Sequence, residues 1–218
     1  MRTAPLLAAI LVLAGATQLA ACESAYYNTM EAFGVHKREI LVDRVAKARD
    51  EQGEAKEQFQ SALVQFKALT GFQGGNLEAL YDKLSAEYDR CESQAGEVKS
   101  RIDKVEDVAN AIFSEWKKEL GEYTDPGLRK QSAAQLEQTK ARCSQLVGTM
   151  RRAEDAMHPV LGAFKDRVLF LKHNLNAQAI ASLQGQSATL EGDIGKLVEQ
   201  MEASIREANA FIDSMPKS

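Results

Sequence analysis

The chain has 218 residues, of which 44% are hydrophobic, 6% are aromatic and 27% are charged. This composition is typical of a helix-rich globular chain, and it excludes a disulfide-dense miniprotein, a collagen and a polytopic membrane protein. The net charge of −4 excludes the strongly basic surface that holds nucleic acid, so we expect no nucleic-acid partner. The sequence carries signals for location and shape, but no signal for a particular reaction.

Residues 1–21 have the features of a cleaved secretory leader: one Arg, a short apolar stretch and small residues before Cys22. The apolar stretch is too short and too interrupted to remain as a membrane-spanning helix. The run Leu19-Ala20-Ala21-Cys22 resembles the bacterial lipobox, in which the leader is removed and the cysteine is acylated. The alternative is an ordinary leader followed by a coincidental cysteine. We expect a lipid on Cys22, with residues 22–28 as a short tether.

Glu23 follows the expected lipidation site. By resemblance to the usual sorting pattern of Gram-negative lipoproteins, a residue other than Asp at this position favours the outer membrane over the inner one. After Cys22 no run of about 18 apolar residues occurs, and neither GxxxxGK[ST] nor GxGxxG is present. We therefore expect a lipid-anchored protein on the periplasmic face of the outer membrane, with the inner membrane as the less favoured alternative.

The rest of the chain repeats apolar residues at alternating steps of three and four, the pattern of long helices that pack by knobs into holes. Four such apolar lines run from Leu41 to Leu69, from Leu84 to Trp116, from Leu136 to Leu175 and from Ile180 to Met215. The first line includes the polar residue Gln52, and the last is expected to pass through Ile205 and Ile212. No alternating strand pattern competes with these lines.

Turn-forming residues divide the pattern into helices expected over 29–69, 77–120, 128–174 and 177–214. Asn176 is expected to cap the fourth helix, and Pro159 is expected to kink the third near Asp155. Short connections make successive helices antiparallel neighbours. The sequence predicts an all-α fold, a long antiparallel four-helix bundle or coiled coil with up-down-up-down topology, as one domain over 29–214 with a tail at 215–218.

Three segments carry a resemblance to a known family: Val168–Gly185, which reads VLFLKHNLNAQAIASLQG, Asp107–Trp116 and Met150–Glu154. In these segments the chain resembles an uncharacterised family of bacterial envelope lipoproteins catalogued as domain of unknown function 2959. The resemblance covers nearly the whole chain after the leader. It implies a helical envelope lipoprotein, and it implies no activity, ligand or catalytic residue.

The two cysteines of the body, Cys91 and Cys143, both fall on the expected core lines. Measured from the predicted turn at 121–127, their positions along the helices differ by about 21 Å. The Cα atoms of a disulfide lie within about 7 Å of each other. We therefore expect two buried thiols, although a bent helix would leave a disulfide open.

Other candidates for chemistry have simpler explanations. Asp155 and His158 have the spacing of a metal-binding pair, but His158 lies off the core line. Met150 and Met157 face the expected core, where methionine is more often filler than a haem ligand. We expect no metal, no cofactor and no catalytic residue, and so no enzyme.

Basic and aromatic residues cluster near the start of the first helix, where they could contact anionic headgroups. The candidate membrane-proximal residues are Tyr26, Tyr27, Lys37, Arg38, Arg44 and Lys47. Acidic residues such as Glu39 and Asp43 share the region, so a solvated face of mixed charge is the alternative.

The favoured function is a non-enzymatic, lipid-anchored helical scaffold or adaptor that binds another envelope protein or a second copy of itself. The alternative is a membrane-shaping helical dimer that resembles the BAR architecture, with Pro159 as a source of curvature. That alternative needs a positive concave face. A third reading, a carrier of an apolar ligand, needs a void between the helices.

Overall fold

The structure is a computed structural model that describes residues 37–215. The expected leader, Cys22, the tether and the segment 29–36 lie outside the described residues, as do residues 216–218. Predictions about Cys22, Tyr26 and Tyr27 therefore stay predictions.

The described residues form six helices and no strand. In chain order these are α1 Lys37–Thr70, α2 Leu77–Glu119, α3 Pro126–Asp155, α4 Met157–His173, α5 Ala177–Gln184 and α6 Ser187–Ser214. The predicted all-α fold is confirmed. The third predicted helix corresponds to α3 and α4, and the fourth corresponds to α5 and α6.

Contacts between side chains fix the antiparallel arrangement. Near the start of α1, the Lys37 Nζ lies 2.6 Å from an Oε of Glu115, close to the end of α2. Near the end of α1, the Lys67 Nζ lies 2.7 Å from an Oε of Glu191, at the start of α6. Both α2 and α6 therefore run opposite to α1, as the up-down-up-down topology predicts.

The bundle has two ends. The proximal end contains the first residues of α1 and α3 and the last residues of α2 and α6. The distal end contains the connections from α1 to α2 and from α4 to α5, together with the start of α6. The chain segment that leads back to Cys22 joins α1 at the proximal end.

The kink expected from Pro159 lies at the predicted position, but the structure divides the helix there into α3 and α4. A proline has no N–H, and its ring clashes with the carbonyl four residues earlier, which here belongs to Asp155. The structure ends α3 at Asp155 and begins α4 at Met157. A second division, at Gly185 and Gln186 between α5 and α6, was not predicted.

Side-chain caps start three of the helices. The Asn176 side chain accepts a hydrogen bond from the Ala179 N–H, which confirms the predicted cap. The Asn76 side chain accepts in the same way at the start of α2. Asp125 caps α3 by accepting from the N–H groups of Gly127 and Leu128, so α3 starts two residues earlier than the expected 128.

The buried side chains of all six helices form one continuous apolar cluster. The expected core line along α1 is buried from Leu41 to Leu69, including Gln52. Along α6 the prediction is wrong in one stretch, because Ser204 and Phe211 are buried where Ile205 and Ile212 were expected. Ile212 packs only partly buried at the edge of the cluster. None of the helices in 37–215 has an apolar stretch long enough to cross a bilayer.

Candidate functional site

The predicted membrane-proximal cations occupy different environments. The Lys37 side chain is only 10% exposed, and its Nζ pairs with the Glu115 carboxylate on α2 at 2.6 Å. Arg38 is exposed and Arg44 is half-buried. Lys47 is exposed and pairs with Asp43 one turn earlier, at 2.8 Å. Of the predicted cations, Arg38 and Lys47 are therefore at the surface, whereas Lys37 is buried.

The tip of the α2–α3 hairpin, residues 116–132, lies at the proximal end, and its residues 121–131 are all exposed. Tyr123 is 41% exposed and Leu128 is 54% exposed. The Trp116 Nε1 donates to the Ser132 Oγ at 2.8 Å, and the Tyr123 Oη donates to the same oxygen at 3.3 Å. The shared acceptor holds Trp116 and Tyr123 together at the tip.

This cluster was not predicted from the sequence, in which Trp116 falls on a core line and 121–127 have the composition of a turn. The signal that could have found the cluster is Tyr123, an aromatic residue inside a turn, about two helical turns after Trp116, the single Trp of the chain. Ser132 gave no signal, because its role depends on which side chains the hairpin brings together.

Beside the tip lies a groove of about 450 Å³ between α1, α2, α3 and the end of α6. Its apolar lining comes from Leu41, Ile112, Phe113, Trp116 and Met215. Arg38, Glu115 and Glu119 supply charge at its edge. The groove opens at the end of the bundle where the chain leads back to Cys22.

The distal half carries a second pair of exposed apolar side chains. Leu169 is 48% exposed and Phe170 is 41% exposed, side by side on α4 within one turn of its end. The next residue, Leu171, is fully buried, so this part of α4 is apolar toward both the core and the surface.

The Asp155–His158 pair has a third potential ligand, Glu154, which the sequence analysis did not include. Their ligand atoms lie within 4.8 Å of one another. His158 is 66% exposed, which agrees with its position off the core line, and Glu154 is buried. The Glu154 carboxylate is already bonded to Arg151, at 3.1 Å. The absence of a metal stays a prediction.

Arg151 links α3 to α2. Its guanidinium donates to Asp103, Glu106 and Glu154. Hydrogen bonds from Lys99 and from Arg151 lower the pKa of Asp103. Desolvation, followed by the negative charges of Asp103 and Glu106, raises the pKa of Asp107. Arg151 and the three acids it contacts form a structural charge network, whereas the charge of Asp107 is opposed by its acidic neighbours.

The two cysteines are free and buried, as predicted. Burial raises the pKa of Cys91 to about 12 and that of Cys143 to about 11. Because the thiolate is the reactive form, neither sulfur is suited to nucleophilic or redox chemistry at neutral pH.

Taken together, these features define a long antiparallel helical bundle whose arginine and lysine side chains pair with acids on neighbouring helices at several levels. The chain belongs to the family described as Protein of unknown function (DUF2959), which it matches over residues 26–215. This confirms the resemblance seen in the sequence. No curated protein and no solved structure matches the chain.

Proposed function

We propose that the protein is a non-enzymatic, lipid-anchored scaffold or adaptor of the bacterial envelope. Acyl chains on Cys22 hold the proximal end at a membrane, and the bundle presents its distal end to another envelope component. The observation that carries the proposal is the separation of the two ends. Helix α2 has 43 residues, which corresponds to about 64 Å at 1.5 Å per residue.

The distal apolar pair supports a protein contact at that end. Leu169 and Phe170 are exposed, and phenylalanine is among the residues enriched in protein interfaces. They lie on the half of the bundle opposite the start of α1. A partner bound there would be held several nanometres from the bilayer.

The membrane in question is proposed to be the outer membrane, with the protein on its periplasmic face, because Glu23 rather than Asp follows Cys22. Mass analysis of the amino-terminal peptide and fractionation of envelopes test the anchor. We expect an acylated Cys22 in the outer-membrane fraction, and a Cys22→Ser variant that is not acylated. An unmodified Cys22 in the native protein would contradict the anchor.

Photo-crosslinking in intact envelopes tests the adaptor. A crosslinker at Phe170 should give a discrete adduct that is lost in the Leu169→Lys variant. A crosslinker at Leu128, which is 54% exposed at the proximal end, is the matched control and should give no such adduct. Equal adducts from both positions, or none from Phe170, would argue against the distal contact. Deformation of vesicles that depends on anionic lipid would favour the membrane-shaping alternative instead.

A further inference from the structure

We propose that the hairpin tip, residues 116–132, rests in the interfacial region of the same bilayer that holds the lipid anchor. In this arrangement Tyr123 and Leu128 enter the headgroup region, and the protein stands on two supports: its acyl chains and its tip. The inference rests on the proposed lipid on Cys22 and adds a specific protein surface to it.

The chain between Cys22 and Lys37 limits how far the anchor can lie from the bundle. Residues 23–36 join Cys22 to Lys37 and span at most about 50 Å when fully extended. Lys37 is bonded to Glu115, the residue before Trp116, so the tip lies where the tether enters the bundle. Along α1, Lys37 to Thr70 is 34 residues, about 50 Å, so Cys22 could reach the distal end only with this connection fully extended along the bundle. The proximal end is therefore the end nearest the anchor.

Tyr123 and Leu128 of the tip are 41% and 54% exposed, and two side chains fix the backbone that displays them. Asp125 accepts from the Leu128 N–H at 3.0 Å, and Ser132 accepts from Tyr123 and Trp116. Tyrosine and tryptophan are the residues that collect at membrane interfaces, because each joins an apolar ring to a polar group.

The hairpin tip also carries charged side chains of both signs. The exposed tip carries four cations, Lys117, Lys118, Arg129 and Lys130, and three acids, Glu119, Glu122 and Asp125. This near balance gives little attraction to an anionic surface, so the apolar side chains must supply the contact. The lysine and arginine stems can lie along the interface with their charged groups in water. The contact should therefore depend weakly on salt and on anionic lipid, unlike that of a basic concave face.

Trp116 makes the test direct, because it is the single Trp of the chain. The mature acylated protein is placed in phosphatidylcholine vesicles whose acyl chains carry bromine, which quenches tryptophan at short range. We expect quenching that changes little between low and high salt. Leu128→Glu should lower it by more than about half, because a charge at the interface opposes insertion. Leu169→Glu, a change of a similarly exposed leucine at the distal end, should leave it unchanged.

A second variant tests whether the half-buried position of the Trp116 indole keeps it away from the bromine quencher. Trp116→Phe combined with Leu128→Trp moves the reporter to the exposed position of the tip, where we expect stronger quenching. Mass analysis of Cys22 and flotation with the vesicles are measured on the same samples. Acylated protein that floats but is not quenched in either form would overturn the tip contact and leave the anchor intact. Loss of quenching by Leu169→Glu would also overturn it. An unacylated native protein would overturn both proposals.

Discussion

At the scale of single residues, the middle of the bundle contains a polar bridge. Gln52 is completely buried. Its side-chain amide donates to the carbonyl of Met150 at 3.3 Å and accepts from the Ser204 hydroxyl at 2.7 Å. The bridge therefore joins α1, α3 and α6 at one level. Because a buried polar group is costly without its partners, the bridge favours this register of the helices over a slipped one.

We predict that Gln52→Ala lowers the free energy of unfolding by about 2–3 kcal/mol, since it leaves a cavity and an unpaired Ser204 hydroxyl. Urea denaturation followed by circular dichroism measures the change. The double variant Gln52→Leu with Ser204→Ala should recover most of the loss, because both polar groups are removed together. If Gln52→Leu alone is as stable as the double variant, the bridge has no energetic role.

Asp103 and Asp107 lie one helical turn apart on α2. Neutralising one of them should change the stability of the fold in the opposite direction from neutralising the other. The raised pKa of Asp107 means that its charge destabilises the folded state at neutral pH. This destabilisation is relieved as the pH falls through the pKa that Asp107 has in the folded state, because the carboxylate becomes protonated. Asp107→Asn should therefore raise stability at pH 7, by less than about 1 kcal/mol because Asp107 is exposed to solvent. The gain should disappear below pH 3.8, the ordinary value for the group.

Asp103→Asn is the matched control. The lowered pKa of Asp103 gives stability that is present above its ordinary value of 3.8 and is lost as the pH falls through the folded pKa. This variant should be less stable than the native protein at pH 7, and the difference should shrink in acid. Thermal unfolding at several pH values compares the two variants, and a shift of the same sign in both would contradict this account.

The thiols of Cys91 and Cys143 should react only slowly with thiol reagents in the folded protein. Their pKa values of about 12 and about 11 leave little thiolate at pH 8, and burial blocks the reagent. We expect Cys91 and Cys143 to react with a thiol reagent about a thousandfold more slowly in buffer than in denaturant, because exposure requires opening of the fold. Leu169→Cys supplies an exposed thiol as a control. Fast reaction of a native cysteine would show that its part of the bundle opens readily.

At the scale of helices, the sequence predicts most of what local chemistry decides. Asn176 and Pro159 act on their own backbone neighbours, so the boundaries they set can be read from the sequence. The shift from Ile205 to Ser204 cannot be read in this way, because Ser204 is buried to meet Gln52 on another helix. The same reason applies to the tip, where Ser132 joins residues from both sides of the hairpin. Contacts across helices decide these features.

Helix α5 gives a test at this scale, because its eight residues are too few to form a stable helix alone. Its cap is Asn176, and we predict that Asn176→Ala costs about 1 kcal/mol. Hydrogen exchange should accelerate locally at the Ala179 amide, which loses its acceptor. Asn76→Ala, the equivalent change at the start of the long helix α2, is the control and should leave α5 protected. Equal exchange throughout the bundle would indicate global rather than local opening.

At the scale of the whole molecule, one apolar cluster connects all six helices, so we predict a single cooperative unfolding transition. Circular dichroism reports on the whole bundle, while fluorescence of Trp116 reports on the proximal end. The two urea transitions should coincide in midpoint. An earlier fluorescence transition would show that the hairpin tip separates from the rest before the bundle unfolds.

The antiparallel arrangement also sets how the bundle would carry mechanical load. A partner held near Phe170 and a lipid attached before Lys37 would pull on opposite ends of the molecule, along the helix axes. Such a force must shear α1 past α2 and α6, which strains many interlocked side chains at once, whereas a force applied at one end would peel the helices apart in sequence. The Gln52 bridge lies midway along α1, and its hydrogen bonds to α3 and α6 would resist this sliding.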